Sequence, residues 1–263
     1  MKLNLPVFQY LQNSQNILIA GMGGGYDVFC GLPLFYELTQ QGKNVHLANF
    51  SSTDIGHISS SYKLSKFLIG VGQKKPGLRG VFQKKTNSNQ SFCELHLANW
   101  LQSKDYQDAI IWCFQKTGVK PLKKSYEQLI SKLNIDTIIL VDGGIDSLIK
   151  GDEQEQGTLI EDLTSLTAVT LLPQNIDKHL VCIGLGIERD IFYGDILQNI
   201  AELTKEEAFL GSCSLLKQMK AYQFYKEALL YTQNHPDQFN SSVINSSVVS
   251  AIEGEYGDYH LTT

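Results

Sequence analysis

The sequence predicts an α/β protein, a Rossmann-like three-layer sandwich with a mainly parallel sheet and helices on both faces. Two observations predict this fold class. Apolar runs of strand length alternate with stretches in which apolar residues recur at helical spacing. Glycines cluster directly after several of these runs, where parallel strands would end at a ligand-binding edge. We expect residues 1–263 to form a single α/β domain.

Buried strands are predicted from apolar runs at residues 16–20, 44–50, 137–142 and 180–185. Residues 27–41 carry apolar side chains at near-helical spacing, so a helix joins the first two strands in a βαβ unit. Pro33 falls inside this helix and is expected to delay its start or to bend it. Further helices are predicted at residues 123–133, 159–171, 193–203, 214–234 and 241–252.

The C-terminal part, residues 193–252, is therefore expected to be mainly helical. Residues 70–91 are rich in Gly, Lys, Pro, Asn and Ser, which predicts a long mobile loop. Because the α/β pattern resumes after it, this loop is interpreted as an insertion rather than as a domain linker.

Composition excludes several classes of protein. The chain has 263 residues and a formal net charge of −5, which disfavours a basic nucleic-acid binder. No apolar run approaches the roughly 18–20 residues of a membrane span, and the N-terminus lacks the pattern of a secretory signal. The five cysteines form no C-x-x-C pair and are interpreted as free thiols in a reducing cytoplasm. Whether the protein forms a homo-oligomer is left open.

The first glycine cluster follows the first predicted strand. Its members are Gly21, Gly23, Gly24 and Gly25. Glycines lying between a strand and a helix N-terminus suit a phosphate or another anion. The dinucleotide fingerprint is broken by Tyr26 and no Gly-Lys-Ser/Thr follows, so NAD(P) and a Walker-type site are both less expected.

Asp27 lies where this helix is expected to begin. A carboxylate there would repel a phosphate unless a metal intervened, and it could instead bind a ribose hydroxyl, an amine or a catalytic water. Asp27 is therefore also a catalytic candidate, as a general base. Alternatively, it caps the helix. Asp54 follows the second strand, where Rossmann proteins bind a ribose, and is a candidate ligand-binding residue. His57 is interpreted as a hydrogen-bonding loop residue.

An acidic segment follows the third predicted strand. Asp142 ends that strand, Gly143 and Gly144 permit a sharp turn, and Asp146 comes directly after the turn. Asp142 and Asp146 are predicted to be catalytic, either by binding Mg²⁺ through their oxygens or by orienting a water or a ribose hydroxyl. The identity of any cofactor is left open.

The later acidic residues are interpreted differently. Asp152 and Glu153 are left open between ligand binding and a solvated loop. A solvated loop and the first turn of a helix are favoured for Glu155, Glu161 and Asp162, because carboxylates stabilise helix N-termini.

Three further features are assigned to the same edge of the sheet. Arg79 lies in a basic stretch without acidic residues and is predicted to close over an anionic ligand, or else to belong to a solvated loop. Gly184 and Gly186 follow the last predicted strand. His260 lies among carboxylates and is a candidate for acid–base catalysis, or else part of a frayed terminus. The ending at Thr263 indicates a truncated or divergent end.

Four motifs together resemble an uncharacterised prokaryotic family, a domain of unknown function found in archaea and in bacteria including cyanobacteria. They are GMGGGYDV from Gly21, PGLR ending at Arg79, VDGGIDSLIKGDE from Val141 and GEYGDYH ending at His260. The resemblance implies a soluble Rossmann-like protein but no particular reaction. It also implies that one site contains Asp27, Arg79, Asp142, Asp146, Asp152, Glu153 and His260.

Three functions are compatible with these features. The first is an enzyme, a hydrolase or group transferase, that acts on a nucleotide or another phosphorylated metabolite. The second is a regulatory module that binds such a small anionic ligand without chemistry. The third is a protein-interaction domain that uses residues 214–252. The surplus of carboxylates favours the enzyme.

Overall fold

The structure is a computed structural model that describes residues 5–58, 61–72, 92–153, 159–188, 191–238, 240–257 and 259. Its centre is one sheet, ordered β3-β4-β5-β2-β1-β6-β7. The strands are β1 (Asn16–Gly21), β2 (Asn44–Phe50), β3 (Tyr62–Ser65), β4 (Leu68–Val71), β5 (Ile111–Phe114), β6 (Thr137–Asp142) and β7 (Asp177–Cys182). From β5 to β7 the neighbouring strands are parallel, whereas β4 is antiparallel to both β3 and β5.

Helices connect and cover these strands. They are α1 (Pro6–Tyr10), α2 (Asp27–Cys30), α3 (Leu32–Gln40), α4 (Cys93–Ser103), α5 (Val119–Leu133), α6 (Leu159–Thr170), α7 (Tyr193–Lys205), α8 (Lys220–Gln233) and α9 (Val243–Glu253). The last three account for the helical C-terminal part that the sequence predicts. Two short 3₁₀ helices lie at Ile55–His57 and Asp146–Leu148.

Alternation along the strands produces three layers. Ile17 and Ile19 of β1 face one side and pack with residues of α2, α3, α4, α8 and α9. Leu18 and Ala20 face the other side and pack with residues of α5 and α6. Both faces of the central strands are therefore buried, which confirms the predicted sandwich and explains why these strands read as continuous apolar runs.

The predicted elements differ from the observed ones in several places. Strands β2 and β6 have the predicted bounds and β1 is one residue longer, but the strand predicted at residues 180–185 was placed three residues too late. This strand, β7, lies at the edge of the sheet, where its polar first residues are only partly buried. Strands β3, β4 and β5 and helix α4 were missed, since each of these strands has only four residues.

The helix predicted over residues 27–41 is divided at Gly31 into α2 and α3. A Cβ atom on Gly31 would lie 2.5 Å from Cγ2 of Ile19, so glycine lets the chain pass close to β1. Pro33 occupies the first turn of α3, where its missing N–H has no helical partner to lose. The helical segment therefore begins at Asp27 without delay and is interrupted at Gly31, two residues before Pro33.

The predicted start of the basic loop at residues 70–91 is too early. Gly70 and Val71 belong to β4, where they pair with Trp112 and Ile111 of β5. The remainder of this loop, residues 73–91, lies outside the described residues.

The position of β1 creates a crevice. The chain leaves β1 to form β2 on one side, and only much later forms β6 on the other side. Connections that diverge from one strand leave an open crevice at the carboxyl ends of the two neighbours, which is where ligands bind in open α/β sheets. The carboxyl ends of β1 and β6 therefore mark the part of the molecule in which a site is expected.

Two findings concern membrane-spanning helices and the state of the cysteines. No helix in the described part of the chain has both the length and the apolar character needed to cross a bilayer. All five cysteines lie among the described residues, and each is a free thiol.

The end of β1 is closely packed, and this gives a first testable prediction. A Cβ atom on Gly21 would lie 2.2 Å from Asn49 Oδ1 and 2.5 Å from the backbone nitrogen of Val28, which cannot move aside. We expect Gly21→Ala to lower the free energy of unfolding by about 3 kcal/mol, measured by urea denaturation. The control is Gly118→Ala, because a Cβ atom there meets open space at an ordinary φ of −73°. Equal losses in the two variants would contradict this packing.

Candidate functional site

Three aspartates from separate segments meet at the crevice, and we call Asp27, Asp142 and Asp162 the aspartate cluster. Asp27 begins α2, Asp142 ends β6, and Asp162 lies in the first turn of α6. One carboxylate oxygen from each lies within 4.8 Å of the other two. Asp142 and Asp162 are only 2% and 3% exposed, so the cluster faces mostly protein rather than water.

The glycine loop, residues 21–25, holds Asp27 in place. The backbone N–H of Gly23 donates a hydrogen bond of 2.6 Å to Asp27 Oδ2. Gly24 and Gly25 have φ values of 101° and 58°, in the left-handed region that glycine enters without strain. The loop therefore folds back onto the carboxylate that follows it.

Glycines also make room for the carboxylates. A Cβ atom on Gly23 would lie 2.6 Å from Asp162 Oδ1 and 2.8 Å from Asp27 Oδ2. A Cβ atom on Gly143 would lie 2.6 Å from Asp27 Oδ1. Any larger residue at these positions would displace a carboxylate, so the convergence of the cluster depends on the glycines that the sequence singled out.

Asp142 is fixed by the turn that follows β6. The backbone N–H of Ser147 donates to Asp142 Oδ2 at 3.0 Å, and the Ser147 hydroxyl donates to the same oxygen. Asp146 lies on this turn, is 5% exposed, and shares a hydrogen bond with Asp142. Asp142 and Asp146, two of the residues predicted to be catalytic, are therefore in contact.

Asp162 brings an unsatisfied oxygen into the cluster. Its Oδ1 is buried and has no hydrogen-bond partner among the described residues. The hydroxyl of Ser165, one turn later, donates to the carbonyl oxygen of Met22 at 2.7 Å and holds α6 against the glycine loop. A buried polar atom without a partner costs free energy, so this oxygen is a ready acceptor for a ligand.

Burial and mutual repulsion oppose ionisation of the cluster. Burial, followed by the charge of Asp142, raises the pKa of Asp27 well above its usual range. Burial, followed by the charges of Asp142, Asp146 and Asp27, raises the pKa of Asp162 to about 9. Burial also raises the pKa of Asp142. The cluster therefore needs either protons or a bound cation to offset its charge.

Backbone N–H groups of the glycine loop are engaged within the chain, and the anion-binding role that the sequence predicts for this loop stays a prediction. Helix α2 has only four residues, and the N–H of Gly23 is taken by Asp27 itself. The N–H of Gly25 donates to Ser52 Oγ at 2.8 Å. These backbone N–H groups donate to side chains of the protein itself. Binding of an anion at this site would therefore require another positive group.

The loop is also held from the side of β2. The Nδ2 atom of Asn49 donates to Gly25 O and to Glu94 Oε1, both at 2.8 Å. The thiol of Cys93 donates to the same Gly25 oxygen. Asp54 is exposed and accepts from the N–H of Gly56, so it caps a short turn, and its predicted ligand-binding role stays a prediction.

The two later carboxylates of the acidic motif differ in their surroundings. Glu153 accepts hydrogen bonds from the backbone N–H groups of Lys150 and Gly151 and from Asn199 Nδ2. It therefore fixes the shape of its own loop. Asp152 is exposed, and its predicted ligand-binding role stays a prediction.

The remaining glycines have separate environments. A Cβ atom on Gly144 would meet Glu188, whose Oε2 accepts from the N–H of Ile145 at 2.6 Å. Gly184 and Gly186 follow β7 with φ values of 95° and 90°. Gly184 packs against Val248 of α9, whereas a Cβ atom on Gly186 would meet nothing within 4 Å.

Arg79, Glu155 and His260 lie outside the described residues, so their predicted roles stay predictions. Asp162 was interpreted as a solvated residue of a helix start. It does lie in the first turn of α6, but it is buried, so that interpretation was wrong. Sequence reasoning also missed the residues that support the cluster, which are Ser52, Asn49, Ser147, Ser165 and Glu188. Asn49 had a detectable signal, since it is a polar residue near the end of an apolar strand.

The fold and the site define an α/β protein with an aspartate cluster in the crevice between β1 and β6. The chain belongs to the family described as "Protein of unknown function (DUF1152)", whose model matches residues 82–261. This confirms the resemblance to an uncharacterised family. No curated protein and no solved structure was found to match the chain.

Proposed function

We propose that this protein is a divalent-cation-dependent enzyme that binds a nucleotide or another phosphorylated metabolite and hydrolyses it or transfers a group from it. The buried, unpartnered Oδ1 of Asp162 within the aspartate cluster carries this proposal. A carboxylate oxygen left unpaired in that position is explained if a bound ligand pairs with it. The crevice between β1 and β6 is the place where such ligands bind in this class of fold.

A divalent cation fits the donor set. Asp27, Asp142 and Asp162 offer one carboxylate oxygen each, and Mg²⁺ and Mn²⁺ prefer oxygen ligands. The cation would offset the repulsion that raises the pKa values of these groups. It would also supply the positive charge that the glycine loop does not, because the loop's N–H groups are already engaged.

The protein's own residues have distinct roles in this proposal. Asp27, Asp142 and Asp162 would hold the cation, which would supply polarisation of a phosphoryl oxygen or a water. Asp146 is next to Asp142 and buried, so it is placed to orient the water or hydroxyl that attacks and to accept its proton. Ser147 keeps Asp142 oriented.

A role as a protein-interaction domain is less favoured. Tyr222, Tyr225 and Leu229 of α8 are buried in the core with residues of α3 and α4. This face of the helix is therefore used within the chain. We also propose a cytoplasmic location, because all five cysteines are free thiols and reducing conditions preserve them.

Thermal denaturation with Mn²⁺, Mg²⁺ or neither tests binding, and phosphate release from nucleoside mono-, di- and triphosphates tests turnover. We expect either metal to raise the melting temperature, a nucleotide to raise it further only when metal is present, and phosphate release to depend on metal. Stabilisation by a nucleotide without metal would overturn the cation-dependent mechanism. Metal-dependent binding without turnover of any substrate in the panel would overturn the enzyme and leave the regulatory module.

A further inference from the structure

A lysine that the sequence analysis did not single out lies over the glycine loop. Lys116 comes two residues after the end of β5. Its Cε lies 3.5 Å from the position that a Cβ atom on Gly24 would occupy. The stem of this side chain therefore passes beside residue 24 of the glycine loop.

The amino group of Lys116 is paired with the residue next to the aspartate cluster. Its Nζ lies 2.9 Å from Oε1 of Glu161, which immediately precedes Asp162 in the first turn of α6. The two side chains are 40% and 32% exposed. Ion pairs in such positions contribute little to stability, so a more highly charged anion can displace the glutamate.

We propose that Lys116 binds a phosphoryl group of the ligand, and that Glu161 occupies this position while the ligand is absent. The inference rests on the proposed function, and it names the residue that gives the site its preference for phosphate. Lysine suits the role because its ammonium is a compact charge on a flexible stem. It can leave Glu161 and follow an incoming anion without movement of the backbone.

The position of Lys116 relative to the cluster supports this assignment. A Cβ atom on Gly23 would meet the carboxylates of Asp27 and Asp162, whereas one on its neighbour Gly24 would lie in ordinary contact with Lys116. The carboxylates and the lysine therefore lie beside adjacent residues of the glycine loop. A phosphoryl group lying over the loop would have the cation on one side and the ammonium of Lys116 on the other.

The charges also require a second positive group. Three ionised carboxylates of the aspartate cluster, the carboxylate of Asp146 proposed as the base and one divalent cation leave a net charge of −2. An anionic ligand would be repelled by that balance. Lys116 would bring it to −1 once the ligand had displaced Glu161.

The test uses three variants: Lys116→Met, Glu161→Gln and Lys123→Met. Lys123 is a matched control because it forms a comparable surface pair with Glu127 on α5. Each variant is titrated with inorganic phosphate and with a nucleoside triphosphate in the presence of Mn²⁺. Melting temperatures with Mn²⁺ alone report the metal site separately.

We expect Lys116→Met to weaken binding of both probes by about tenfold or more. Glu161→Gln should strengthen binding several-fold, because the amide competes less well for the ammonium. Lys123→Met should change neither, and all three should keep the melting-temperature shift produced by Mn²⁺. If Lys116→Met fails to fold, the gain expected for Glu161→Gln carries the test.

Other outcomes overturn specific parts of the account. Wild-type affinity in Lys116→Met, or no gain in Glu161→Gln, overturns the role of Lys116 and leaves the proposed function standing. Absence of binding by the wild-type protein overturns the proposed function itself, and Lys116 with it. The two failures are therefore distinguishable. The Lys116 and Glu161 variants test the role of Lys116, and the wild-type protein tests the proposed function.

Discussion

Asp162→Asn should raise the melting temperature of the metal-free protein by roughly 5–10 °C near pH 8 and abolish its response to Mg²⁺. The carboxylate is buried beside two others and has one unpartnered oxygen. Asparagine has almost the same shape but no charge to bury. The substitution therefore removes the cost of keeping this carboxyl group protonated in the folded state, together with one ligand of the cation.

The sign of the pH dependence follows from the pKa shift. The pKa of Asp162 is 3.8 in its ordinary state and about 9 in the folded protein. Between these values the folded state keeps a proton that the unfolded state has released. Raising the pH through this window therefore destabilises the metal-free protein. A bound cation replaces that proton, so stabilisation by Mg²⁺ should grow as the pH rises.

Melting curves from about pH 5 to about pH 8, with and without Mg²⁺, check both statements. Asp105→Asn is the control, because Asp105 is exposed and lies before β5, away from the carboxyl edge. Asparagine also tolerates its φ of 71°. If Asp162→Asn has the same melting temperature as the wild type throughout this range, the destabilising effect assigned to the Asp162 carboxyl group is wrong.

Asp142→Asn should lower turnover by about 10²–10⁴-fold with the fold intact. Asp142 is the point of contact between the cation ligands and the proposed base, since it belongs to the aspartate cluster and adjoins Asp146. An asparagine oxygen can still accept from Ser147, so the turn after β6 should survive. What is lost is the negative charge that holds the cation.

Initial rates of phosphate release, with circular dichroism as the check on folding, measure this effect. Asp105→Asn should retain full activity for the reason given above. Unchanged rates in Asp142→Asn would remove Asp142 from the catalytic machinery. A loss that excess Mn²⁺ restores would instead support its role as a cation ligand, because weaker binding is offset by concentration.

The central part of the fold could be predicted because its strands are long and buried on both faces. β1, β2 and β6 are six or seven residues long, and apolar residues make up most of each. β5 is equally buried but has only four residues, too few to distinguish it from part of a helix. Missing β5 also hid Lys116, because the significance of that lysine depends on following a strand of the same sheet.

The site was predicted in part for a related reason. Asp27 and Asp142 follow apolar strands, and parallel strands bring such residues to one edge. Asp162 lies 20 positions after Asp142 along the chain. Its burial depends on α6 packing back onto the glycine loop through Ser165 and Met22. Helical spacing predicts the existence of a helix but not which loop its first turn contacts.

The most direct test is a crystal structure of the protein grown with Mn²⁺ and measured at a wavelength that gives anomalous scattering from manganese. The account predicts one anomalous peak bound by oxygens of Asp27, Asp142 and Asp162, at about 2.0–2.2 Å. The peak should be absent from Asp162→Asn crystals grown in the same way. Carboxyl groups hydrogen-bonded to one another at this position, with no peak between them, would contradict the cation site.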